Sequence, residues 1–249
     1  MGGNEGADRD GIGERGSDRD EGDALPVPVS NRAVRATYDR WASLYANTVA
    51  RLEAPSKRRA IELLDPAPGS RVLDLGCGPG LTLPDLAERV GKCGSVYALD
   101  AAPGMLAESA ARVRSSAGID WISILRSDAR QLPLGAGSVD AVVAFDVLEL
   151  FDRPSLRVVL REIRRVLAPD GRLCAVTMDR ADTNRSRFLR GYEWAYRHVP
   201  GFARVGCRPF DVRAVVTDGD FRVERLERSR RGGIWPVVTA YCRPDREGR

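Results

Sequence analysis

Residues 71–80 read RVLDLGCGPG: a short apolar run, an aspartate, then glycines at 76, 78 and 80. Glycine forfeits roughly 0.5–1 kcal/mol wherever an ordinary residue would serve, so three in five positions need a physical cause. Two causes compete. One is a tight strand-to-helix turn, and the other is a backbone that presses against a ligand.

Working outward, the apolar spacing predicts strand 71–75, helix 81–90, strand 95–99, helix 103–114, strand 121–125, strand 139–145, helix 155–167 and strand 171–178. Strands alternating with helices imply a parallel sheet covered on both faces. Upstream, Val34, Tyr38, Trp41, Leu44, Tyr45 and Val49 recur at helical spacing, which predicts a helix from Ser30 or Asn31 to about Ala50, followed by a second over Ser56–Leu64. Downstream, 184–198 and 210–217 have helical spacing, with 220–227 and 234–242 as closing strands.

In an open α/β sheet a ligand sits outside the carboxyl ends of the strands, where the glycine turn lies. A nicotinamide-type fingerprint would place glycine at 81, where Leu81 stands. Asp74 beside the loop suits a ligand that bears an amino group. Asp100 ends the second strand twenty residues after Gly80, and a carboxylate there can accept from both hydroxyls of a ribose. Asp74 and Asp128 also have an ordinary reading as turn formers.

Composition narrows the class. A chain of 249 residues with 43% hydrophobic content fits one large α/β domain. Residues 1–24 carry eight acidic and three basic side chains among glycines, so 1–29 is expected to be a disordered acidic tail and linker ahead of a domain over 30–249. No uninterrupted apolar run reaches membrane-spanning length, and the acidic first residues do not resemble a secretory signal, so a cytoplasmic protein is expected. The five cysteines show no C-x-x-C pairing, which supports neither a disulfide framework nor a metal site.

Taken in order, these motifs resemble the class I S-adenosylmethionine-dependent methyltransferases over about residues 35–178. The resemblance implies a Rossmann-like fold: a mostly parallel seven-stranded sheet with an antiparallel closing strand, helices on both faces and a core over about 70–178. It implies that S-adenosylmethionine is the cofactor and that Asp74, Gly76 and Gly78 face its methionine part, with Cys77 a small filler of the same loop. Asp100 matches the ribose-binding position. Ala101 and Met105 fall where the family packs the adenine, and Asp128 with Ala129 where its amino group is met. Phe145 and Asp146 fall beside the sulfonium. The stretch YDRWASLY at 38–45 is similar to the amino-terminal signature of the UbiE-like quinone methyltransferases, which implies that Tyr38, Trp41 or Tyr45 lies over the pocket. The stretch VAFDVLELF departs from the quinone enzymes' usual pattern and leaves the acceptor open.

The acceptor side is expected in an insertion over about 180–217. Residues 180–213 hold eight arginines and three acidic residues interleaved with aromatics. That mixture suits a small-molecule or lipid-like acceptor, a quinol among them, and peripheral contact with an anionic membrane surface. An amphipathic cover for the sheet is the plainer reading. His198, the sole histidine, is the leading candidate base, followed by Tyr192, Asp146 and Glu149. RNA methylation ranks lower, since the N/D-P-P-Y/F motif of base-amino methylation is absent. A non-catalytic cofactor-binding protein is the remaining alternative.

Overall fold

A computed structural model describes residues 31–116, 119–180, 186–199, 202–204 and 208–245. The expected tail and linker lie outside these residues.

Seven strands form one sheet: β1 (Arg71–Leu75), β2 (Ser95–Asp100), β3 (Ile122–Arg126), β4 (Val139–Phe145), β5 (Leu167–Met178), β6 (Phe221–Arg231) and β7 (Trp235–Pro244). Their spatial order is β3-β2-β1-β4-β5-β7-β6. All neighbours pair in parallel except β7, which runs antiparallel to both β5 and β6. The antiparallel strand therefore inserts one place from the edge, and β6 forms the rim.

The two-residue period of each strand divides the core into two layers. Leu73, Leu75, Val142 and Ala175 face α5 (Arg153–Val166) and α7 (Val212–Asp218). Val72, Val96, Val143 and Val176 face α2 (Val49–Leu64), α3 (Leu83–Val90) and α4 (Pro103–Ser115). Fully apolar strands such as β4 follow from burial on both faces.

The structure departs from the sequence expectation in three places. The single helix expected to Ala50 is α1 (Asn31–Asn47) followed by α2, broken at Thr48. Asn47 Nδ2 donates to the Ser43 carbonyl (2.9 Å) and Thr48 Oγ1 to the Leu44 carbonyl (2.6 Å), local bonds that compete with helix continuation. Helix α2 runs through Pro55 rather than starting after it; the ring leaves one helical carbonyl without its donor. Strand β5 starts at Leu167 instead of 171, with a register shift where its first residues pair with β4.

Beyond β5, α6 (Arg187–His198) and a 3-10 turn (Phe202–Arg204) lead to α7. Gly232 and Gly233, at φ 56° and 76°, turn β6 into β7. Among the described residues no helix is long and apolar enough to cross a membrane.

Candidate functional site

The strand order reverses at β1, which has β2 on one side and β4 on the other. A cleft open to solvent lies there and includes the glycine loop in its wall. The three glycines have different reasons. At Gly76 (φ 71°) a Cβ would come within 2.5 Å of Val147 Cγ2, and at Gly80 (φ 72°) within 2.7 Å of Ser109 Oγ, so both glycines permit close packing. Gly78 (φ 55°) would meet nothing within 4 Å. It keeps the left-handed backbone and faces the cleft. Both causes weighed for the loop thus apply, at separate positions.

Asp100 clamps this loop. Its Oδ2 accepts from Gly78 N (3.0 Å) and its Oδ1 from Ala102 N (2.9 Å). Burial raises its carboxyl, opposed by these backbone donors. Each oxygen keeps a second lone pair for a ligand hydroxyl. Gly76, Cys77, Gly78, Ala101, Met105, Asp128, Ala129, Phe145 and Asp146 all reach the cleft wall with it. Burial and the Asp74 and Asp100 charges push the Cys77 thiol up, which fits an inert filler.

Asp74 is placed elsewhere than expected. It is 1% exposed beneath the loop and accepts from Thr82 Oγ1 (3.0 Å), at the start of α3. Burial pushes its carboxyl up to about 6. It braces the loop from below and is not part of the cleft wall. Asp128 is held by Arg130 (2.8 Å) and approached by Arg35 (3.5 Å), and the Arg130 hydrogen bond keeps its carboxyl below the ordinary range.

Helix α1 covers the cleft with Val34, Arg35, Tyr38 and Tyr45. Gly104 permits this: its N donates to Asp39 Oδ1 (2.6 Å), and a Cβ there would collide with the Asp39 carbonyl. Trp41 points away and is 51% exposed.

At the end of β4 lies a buried charge cluster. Arg231 grips Asp146 with two bonds of 2.9 Å, and Lys57 Nζ bonds Asp146 (3.1 Å) and Glu53 (2.8 Å). Tyr45 Oη donates to Glu53 (2.8 Å) and Arg231 Nε to Ser56 (2.8 Å). Burial alone would raise the Asp146 carboxyl, yet Lys57 and Arg231 outweigh it and hold it below the usual range. Burial likewise opposes the Lys57 charge, but Glu53 and Asp146 hold the ammonium above its ordinary value. Lys57 lines the cleft with a third N–H beyond these two bonds. Glu149 is 2% exposed with neither carboxyl oxygen hydrogen-bonded among the described residues. Burial, with Asp146 adding, pushes it up to about 8.

These facts revise the candidate bases. Asp146 is pinned by two cations and has no freedom to take a proton. His198 is exposed at the end of α6, its ring stacked on Trp194 at 5.4 Å and its Nδ1 2.8 Å from the Trp194 carbonyl, away from the cleft wall. The i, i+4 spacing puts it on the face of Trp194, which is 60% exposed. Tyr192 packs with Phe188, Phe202 and Trp235 rather than on the cleft wall. Sequence reasoning missed Lys57, Glu53 and Arg231. The rarity of lysine, with Lys57 and Lys92 the only two, was the one available signal.

A methyltransferase-domain profile matches residues 72–171. Nocamycin O-methyltransferase of Saccharothrix syringae is 38% identical over 136 residues, 55% of this chain and 48% of that protein, so the chain spans about half of that relative. The 2-phytyl-1,4-naphtoquinone methyltransferase of Synechococcus elongatus is 33% identical over 185 residues, 70% of this chain and 76% of that protein. Among solved structures, the Burkholderia thailandensis 1,6-didemethyltoxoflavin-N1-methyltransferase has the same fold, with a TM-score of 0.66 at 17% identity over 89% of this chain and 95% of that one. The chain belongs to the class I S-adenosylmethionine-dependent methyltransferases, in their UbiE-like group.

Proposed function

We propose that the protein transfers the methyl group of S-adenosylmethionine to a small acceptor bearing an acidic hydroxyl, of the quinol or enolised-ketone type. The observation that carries this reading is the glycine loop clamped by Asp100 at the strand-order reversal, within a cleft that α1 covers. Bound, the cofactor supplies an electrophilic methyl on a sulfonium. Asp100 accepts from the ribose hydroxyls, and the third N–H of Lys57 meets the methionine carboxylate. Ala101 and Met105 pack the adenine. Asp128 accepts from the adenine amino group where Arg35 yields. Phe145 and Val147 wall off water beside the sulfonium, so that alignment supplies most of the rate.

Among the described residues no imidazole lines the cleft, and its carboxylates are already engaged: Asp100 by backbone N–H groups, Asp128 by Arg130 and Asp146 by Arg231 and Lys57. Glu149, whose carboxyl burial pushes up, stands off the cleft wall. An acceptor whose own hydroxyl ionises near neutrality needs no base. The name of the naphtoquinone relative supports a ring-bearing acceptor. On α6, exposed Trp194 beside Arg190 and Arg197, with exposed Val199 just past the helix end, supports contact with an anionic membrane surface.

Calorimetry with S-adenosylhomocysteine tests the site: Asp100→Asn weakens binding by about tenfold or more. Incubation with labelled cofactor and a quinone and lipid extract tests transfer. Unchanged affinity in the variant removes the Asp100 role, and tight binding with no labelled product from any extract removes catalysis.

A further inference from the structure

Among the described residues, Trp235 Nε1 is a buried donor with no acceptor. An indole N–H in that condition is costly unless something supplies an oxygen. Trp235 opens β7 just after the Gly232-Gly233 turn, and with Phe188, Tyr192 and Phe202 it makes a cluster of four half-buried rings. Phe188 lies 6.1 Å and Tyr192 6.3 Å from it between ring centres, at interplanar angles of 35° and 41°. Phe202 meets Tyr192 edge-on at 5.2 Å. None of these pairs is face-to-face, so ring faces remain for a flat guest.

The quartet is tied to the cofactor cleft at two points. On one side the Arg231 guanidinium lies 5.9 Å from the Trp235 ring centre while it grips Asp146 on the cleft wall. On the other, the 3-10 turn that carries Phe202 packs on α1, whose Tyr38 and Tyr45 belong to the same wall. The four rings are not part of the cleft wall; they stand one layer behind it, next to Arg231 and α1, on the side from which an acceptor must approach the methyl group.

We propose that Phe188, Tyr192, Phe202 and Trp235 form the acceptor's ring subsite, which takes a flat oxygenated aromatic ring, with Trp235 Nε1–H donating to one of its carbonyl or hydroxyl oxygens. This rests on the reading of the cleft as the cofactor site. The chemistry excludes two neighbouring classes. A saturated chain gains nothing from tilted ring faces beyond apolar burial, and an unoxygenated ring leaves the indole donor unpaired. Trp235 is thus a specificity-determining residue that lies outside both the cofactor motifs and the 180–217 insertion.

The test uses 1,8-dihydroxyanthraquinone as a probe with the full chain saturated in S-adenosylhomocysteine, and measures both affinities by calorimetry. Wild type binds the probe and does not bind decanol comparably. Trp235→Phe keeps the ring but removes the donor, so probe affinity falls about tenfold while S-adenosylhomocysteine affinity stays within about twofold. Phe188→Leu also weakens the probe, which keeps the proposal testable if Trp235→Phe misfolds. Equal probe affinity in wild type and both variants overturns the subsite, as does wild type that binds S-adenosylhomocysteine but not the probe. A wild type that binds neither overturns the cofactor reading, and the subsite falls with it.

Discussion

Replacement of Glu149 by glutamine should stabilise the protein at alkaline pH and leave it nearly unchanged at acid pH. In the unfolded chain the carboxyl titrates near its ordinary 4.5, and in the fold burial pushes it up to about 8. Between those values the folded protein holds a proton that the unfolded chain has lost. Stability then falls as pH rises, by about 1.4 kcal/mol per pH unit for one full proton. From pH 5.5 to 7.5 this amounts to roughly 2–3 kcal/mol. Asp146, Glu53, Arg231 and Arg208 surround the group electrostatically, and their adjustment reduces the penalty, so a difference of about 1 kcal/mol is the least that satisfies the reasoning. Glutamine cannot ionise and escapes the penalty. Asp74, also raised by burial, contributes a slope of the same sign to both proteins and cancels in the comparison. Urea unfolding followed by tryptophan fluorescence at pH 5.5, 6.5 and 7.5 gives the two stability curves. Parallel curves would refute a neutral buried Glu149.

Arg231→Met removes one of the two cations that Asp146 and Glu53 share with Lys57 and should lower stability by about 3–5 kcal/mol, read from the urea midpoint, with partial recovery when Asp146→Asn is added. Lys57→Met should weaken S-adenosylhomocysteine about tenfold in calorimetry but leave methylthioadenosine, which lacks the amino-acid part, within about twofold. Gly76→Ala forces a Cβ to 2.5 Å from Val147 and should cost about 2 kcal/mol or more in thermal unfolding, whereas Gly78→Ala, with open space around it, carries chiefly the backbone penalty of about 1 kcal/mol.

Local chemistry accounts for what was legible in the sequence. Strands 71–75 and 139–145 end where expected, because each is a two-face-buried apolar run stopped by a residue at positive φ, Gly76 and Asp146. The glycine loop, Asp100 and the residues that pack beside them converge on one cleft since the strand-to-helix turns of a parallel sheet share one end. The break at Thr48 was hidden, for Leu44, Tyr45 and Val49 carry the helical spacing straight through it. The buried charge cluster was hidden for another reason. Ser56 and Arg231, which meet at 2.8 Å, are 175 residues apart, and no short window contains both. His198 stood out by being unique in composition, a property that says nothing about where a helix end points.

Strand β6 has a consequence for behaviour in concentrated solution. Among the described residues nothing pairs with the outer side of its backbone ladder at the rim of the sheet, the kind of edge on which another molecule's strand can lengthen a fibril. Along that rim stand Arg222, Glu224, Arg225, Glu227, Arg228 and Arg230, with Arg228 tied to Asp179 just past β5 (2.7 Å) and Glu224 to Arg243 of β7 (2.9 Å). A second copy docking edge to edge would have to dismantle these pairs and set guanidinium groups against one another. The opposite rim, β3 with its sequence ISILR, has a single charge in five residues. Any runaway stacking of this protein would therefore start at β3, and the arginine-rich rim would cap its growth after one addition.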